Sequence, residues 1–145
     1  MGIWESFYNT VIYDNRYMYI LEGLLNTIII AFFAVILGIV IGVLVAIVRN
    51  YHDNSGKLKL LNMLGKIYVN VIRGTPVVLQ LMIIYYVIFK SVDISIVLVG
   101  VLAFGINSGA YVAEIIRAGI ESIDKGQMEA GYSLGLSYSK TMRYI

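Results

Sequence analysis

The side chains able to do chemistry in this chain are few and scattered. There are nine Asp and Glu, eleven Lys and Arg, a single histidine and no cysteine. Without cysteine there is neither a disulfide framework nor a thiolate metal site. His52 stands beside Asp53 and Asn54 in a polar stretch, and one imidazole reads as solvated, since metal sites need several donors. No GxxxxGK[ST] phosphate cradle and no HExxH motif occurs. No catalytic residue and no metal ligand is therefore assigned. No cofactor is expected in this chain, and it is not expected to hydrolyse ATP itself.

Three stretches do carry a pattern. In Arg73-Gly74-Thr75-Pro76, threonine before proline is the pairing of a helix N-cap with a first helical position, and Arg73 can snorkel to a membrane surface. Asn107, Ser108 and Tyr111 are polar groups inside an apolar run; they either line a passage or bond between helices. Glu114 and Arg117 follow one turn apart and can pair along one helix face, as a structural ion pair or as part of that passage. In Glu129-Ala130-Gly131-Tyr132-Ser133-Leu134-Gly135, Gly126-Gln127 can open a short helix. Gly135 can close it in a left-handed conformation, and Ser137 can cap the next, with Lys140 and Arg143 toward its C-terminal side. Such a hairpin, with an acid near its start, either docks into a partner's cleft or lies on a membrane surface.

The elements that must hold these residues lie in lipid. Of 145 residues, 59% are hydrophobic and 14% charged, with a mean hydropathy of +0.82; a soluble domain carries about 25% charge. The net charge of +2 sits in loops rather than along one face, which argues against nucleic acid. Gly23 to Val48 is free of charge and as a helix extends about 39 Å, more than the roughly 30 Å hydrocarbon core. Ile67 to Phe89 is apolar but interrupted by Arg73–Pro76, and is expected to be a span kinked at Pro76 rather than a re-entrant segment. Ser91 and Val92 form a tight connection, and Ile94 to Ala113 is again uncharged. The expected spans are 23–48, 67–89 and 94–113. Residues 1–22, with an apolar face of Ile3, Trp4, Phe7, Tyr8, Val11 and Ile12, read as an interfacial helix rather than a cleavable signal. Residues 49–66 read as a loop with a short surface helix.

Gly38, Gly42 and Ala46 form one small-residue stripe, and Gly105, Gly109 and Ala113 another; such stripes let backbones approach closely in lipid. Lys and Arg number one before Gly23, four in 49–66, one in the Lys90–Asp93 turn and four after Ala113. By the positive-inside rule, three spans with the N-terminus outside put both rich segments in the cytoplasm.

The spacing Glu-Ala-small, three residues, Gly, nine residues, Ile is similar to the cytoplasmic loop motif of bacterial ABC importer permeases. The stretches Arg73-Gly74-Thr75-Pro76-Val77-Val78-Leu79-Gln80-Leu81 and Asn107-Ser108-Gly109-Ala110-Tyr111 through Glu114, Arg117-Ala118-Gly119-Ile120 and Gly126-Gln127 resemble the polar-amino-acid branch, of histidine/glutamine type. The resemblance implies an all-α membrane fold, a multi-span helical bundle of ABC importer permease type with three spans visible. The permease domain (23–145) is expected to be incomplete, truncated within its coupling motif, with further spans beyond Ile145. It implies a permease subunit of an ATP-driven polar amino-acid importer in the cell membrane. Implied partners are a cytoplasmic ABC ATPase that uses the ATP, a second permease subunit and an extracytoplasmic solute-binding protein. The coupling region is 118–145, and its defining positions carry over to Glu129, Ala130, Gly131, Gly135 and Ile145. Asn107, Ser108, Tyr111 and Glu114 are candidates for the translocation path. The alternatives are a permease for another small solute, or a non-transporting scaffold or channel subunit.

Overall fold

The computed structural model describes residues 2–145. In chain order its α-helices are α1 (Ile3–Phe7), α2 (Tyr17–Ser55), α3 (Lys59–Arg73), α4 (Val77–Ile83), α5 (Ile96–Glu121), α6 (Lys125–Ser133) and α7 (Tyr138–Tyr144). Wide π-type turns extend α1 over Tyr8–Ile12 and α4 over Ile84–Ile88. This is an all-α membrane fold. α2 and α5 are each long and apolar enough to cross a bilayer, and α3 qualifies only together with α4 and its π-type extension, from which it is bent by 108°.

The pattern of exposure is that of a protein solvated by lipid. Leu24, Leu25, Ile28, Phe32, Phe33 and Ile36 of α2 are all exposed, whereas its buried residues are Ala34, Gly38, Gly42, Ala46 and Arg49. Apolar bulk faces outward because lipid tails are as apolar as leucine, and small residues face inward because only contact distance rewards helix association there.

The two small-residue stripes meet each other. A methyl group built on Gly38 would lie 2.7 Å from Ser108 Oγ, one on Gly42 2.5 Å from Val112 Cγ1, and one on Gly105 2.6 Å from Leu37 Cδ2. Gly100 faces Ile30 and Gly109 faces Ile41, so position numbers rise together and α2 and α5 run parallel. The chain must therefore return from the end of α2 to the start of α5. α3 and α4 make that return: Gly65 of α3 packs on Val45 and Arg49, and Ile84, beyond α4, packs with Val99 and Ala103 of α5.

Two segments differ from expectation. The polar stretch 49–66 is almost wholly helical: α2 continues to Ser55 and α3 starts at Lys59. Nothing breaks the helix before Gly56, whose φ of +67° ends it with its N–H on His52 O at 2.8 Å. Asn54 and Ser55 remain helical by donating to Asn50 O and Tyr51 O one turn back. The N-terminal segment, expected as one interfacial helix, is interrupted where Asp14 and Asn15 take positive φ.

If the α2–α5 seam sets the packing, Gly42→Ala should destabilise the chain by about 1–3 kcal/mol through overpacking. Gly23→Ala, with nothing within 4 Å of the added methyl, should not. Thermal unfolding of the two variants in detergent checks this.

Candidate functional site

Four small-to-polar positions one turn apart, Gly38, Gly42, Ala46 and Arg49, lie on the buried stripe of α2. The last is a charge. Arg49 Nη1 donates to Glu114 Oε2 at 3.0 Å, its side chain only 6% exposed, while Arg73 Nη1 reaches the same oxygen at 3.8 Å and is 41% exposed. Gly65 leaves room for the Arg49 stem between α2 and α3. Arg73 also lies 5.5 Å over the Tyr111 ring, a cation–π distance. One carboxylate on α5 thus serves two guanidinium groups, one from α2 and one from α3. The expected Glu114–Arg117 pair does not form. Arg117 bonds Glu121 one turn further on, and Glu114 turns inward, because a buried arginine has more need of a counter-charge than a half-exposed one.

The break between α3 and α4 follows from Pro76. Proline has no N–H for the carbonyl four residues back, here Ile72. Gln80 substitutes for it: Gln80 Nε2 donates to Ile72 O at 2.8 Å, to Thr75 O at 3.1 Å and to Thr75 Oγ1 at 2.8 Å. Its Oε1 accepts from Asn107 Nδ2 at 3.2 Å. Thr75 is not the N-cap that its place before proline suggests. Its hydroxyl donates back to Val71 O, and Pro76 itself is the extended residue before α4. The motif Arg73-Gly74-Thr75-Pro76 is therefore a corner whose freed backbone groups are re-bonded internally, as lipid requires.

Asn107, Ser108 and Tyr111 line one open groove of about 700 Å³ with Thr27, Ile30 and Ala34 of α2. Glu114 is not part of its lining; it lies one turn beyond Tyr111, in the ion cluster. Asn107 joins the groove to the Gln80 corner.

After α5 the chain makes a hairpin of α6 and α7. Asp124 rather than Gly126 caps α6, its Oδ1 accepting from Gly126 N at 2.6 Å. Gly135 has φ +75°, with Gly135 N on Tyr132 O at 2.9 Å and Leu136 N on Gly131 O at 3.0 Å, the paired bonds of a Schellman ending. Ser137 occupies the N-cap of α7 without a side-chain bond. Gly131 is buried against Thr141, and any side chain at 131 would overlap it. Glu129, Ala130, Gly135 and Ile145 are exposed. The hairpin is a compact knob with an exposed carboxylate, that of Glu129.

Sequence reasoning missed Arg49 and Gln80. The first was legible as the next step on the Gly38–Ala46 stripe; the second sits one turn after the proline whose missing N–H it replaces.

Residues 38–145 match the family described as binding-protein-dependent transport system inner membrane component. The chain is 38% identical over 143 residues to a Bacillus subtilis (strain 168) protein named "Probable amino-acid ABC transporter permease protein YckA", covering 98% of this chain and 61% of that one. It is 39% identical over 127 residues to the arginine transport system permease protein ArtQ of the same organism, covering 86% and 56%. A solved structure described as an amino acid ABC transporter with histidines superposes with a TM-score of 0.72 at 38% identity, covering 83% of this chain and 54% of that chain. The chain spans about three fifths of the length of the curated relatives it matches.

Glu114→Gln would leave Arg49 buried without its counter-charge, at a cost of about 1–3 kcal/mol or more for an unsatisfied charged group. Arg73→Gln, removing a longer and half-exposed contact, should cost less than about 1 kcal/mol. Thermal midpoints in detergent should fall in that order.

Proposed function

This chain belongs to the family of binding-protein-dependent transport system inner membrane components, and on that premise we propose that it is the permease subunit of an ATP-driven importer for polar amino acids. The observation that carries the reading is the capped knob of α6 and α7. It presents Glu129 on an exposed face, and its helices touch through Gly131 because no larger residue fits against Thr141. A closely packed knob with an exposed acid suits a cleft on a separate ATPase, which would use the ATP. Two relatives named for amino acids, one of them for arginine, support the solute class.

In this reading a second permease subunit, identical or similar, encloses the path, and an extracytoplasmic binding protein delivers the amino acid. Closure of the ATPase pair moves the knobs, and the spans tilt to expose the path to the opposite side. Asn107, Ser108 and Tyr111 border the path along their groove, with Glu114 at its inner end. The parallel run of α2 and α5, with α3 and α4 returning between them, supports spans at 23–48, 67–89 and 94–113. The N-terminus then lies outside and residues 118–145 in the cytoplasm.

The full-length complex, reconstituted in vesicles with its ATPase and binding protein, tests the assignment. Glu129→Lys should lower both ATPase recovery and amino-acid uptake by roughly tenfold or more, the least expected of a charge reversal in a complementary polar interface, with membrane insertion unchanged. A parent complex that takes up no amino acid, or a variant equal to the parent, overturns it.

These 145 residues contain no cysteine, so once any cysteine outside them is replaced, single introduced thiols report the topology. In intact cells a membrane-impermeant maleimide should label Ser91→Cys and spare Lys59→Cys until lysis; the reverse pattern would invert the orientation.

A further inference from the structure

The knob is joined to α5 by Ser122, Ile123 and Asp124 alone. Among the described residues, a single side-chain pair bonds it to the membrane helices. Asn50 Nδ2 donates to Tyr138 Oη at 3.0 Å, and Tyr138 Oη lies 3.1 Å from Asn50 Oδ1, close enough to donate in turn. The two residues are 88 positions apart in sequence and partly buried. The Asn50 amide is held in place by Asn54, whose Nδ2 donates to Asn50 O at 2.8 Å and to Asn50 Oδ1 at 3.1 Å. At the other end, Tyr138 is the first residue of α7, which is locked to α6 by the Gly131–Thr141 fit.

Asn50 directly follows Arg49, the buried partner of Glu114 on α5. A displacement of the knob therefore has a bonded route to α2, and through the next side chain to α5. Neither Asn50 nor Tyr138 belongs to the motif positions that define the coupling region.

We propose that Asn50 and Tyr138 are positioning residues, a hydrogen-bonded tether that passes movement of the α6–α7 knob to α2. The tether rests on the coupling role given to the knob above. Without it the knob would still bind its ATPase, but its movement would be absorbed in the three-residue link to α5. The chemistry needed is modest, an amide facing a phenol hydroxyl in a partly dry crevice, where such a pair is worth more than in water.

The test uses the full-length permease with its ATPase and binding protein in vesicles. Tyr138→Phe, which deletes one oxygen, and Asn50→Ala should each lower amino acid taken up per ATP hydrolysed by roughly threefold to tenfold, the scale of losing one or two hydrogen bonds. ATPase recovery and hydrolysis should stay at the parental level. Asn50→Asp keeps an acceptor for the Tyr138 hydroxyl and should recover most of the loss, and the double variant Asn50→Ala/Tyr138→Phe should be no worse than the singles. Unchanged uptake per ATP in both singles overturns the tether. So does a parallel loss of ATPase binding, which would make the pair a mere support of the docking face. A parent complex that binds no ATPase overturns the coupling reading, and the tether with it.

Discussion

The contact of α2 with α5 governs the rest of the molecule. In lipid there is no hydrophobic gain from bringing two apolar helices together, so association depends on backbone proximity and on polar groups that find partners. Gly38 and Gly42 on one side, and Gly105 and Gly109 on the other, leave no space for even one more methyl. The stripe on α2 then ends in Arg49, whose charge is tolerable only because Glu114 meets it from α5. Packing and electrostatics thus lie along one line. Because the two helices are parallel, the intervening chain is forced to turn back, and this is why the α3–α4 corner exists.

The corner obeys a second constraint of the same solvent. A proline frees a carbonyl, and water is not at hand to satisfy it. Gln80 closes the gap and links it to Asn107 on α5. The polar residues inside the bundle are therefore occupied mainly with one another. Arg73 stands half-exposed between Glu114 and the ring of Tyr111, and Tyr111 lines the groove proposed as the path.

Much of this was legible in the sequence, and what was not has physical causes. Charge-free runs located α2 and α5, since length and apolarity suffice to define a helix in a bilayer. The glycine spacing marked the faces that meet, and the Gly135 position marked the end of α6. Helix ends were harder. Asn54 and Ser55 look like turn residues, yet each bonds a carbonyl one turn back and lengthens α2. Partner choice was hardest. Local spacing favoured Arg117 for Glu114, but the pairing depended on Arg49, distant in sequence and visible only once α2 and α5 are laid side by side. Thr75 misled for a local reason: its hydroxyl donates back to Val71 O and Pro76 itself takes the cap position.

The Gln80 amide has a mechanical corollary. Ile72 O, Thr75 O and Thr75 Oγ1 all converge on one nitrogen, so opening the bend would break the contacts of its two N–H groups with all three oxygens at once. A proline kink is commonly pictured as a hinge. Braced in this way, the elbow between α3 and α4 behaves as a welded joint, and any tilting of the bundle must swing both of its arms together like a boomerang.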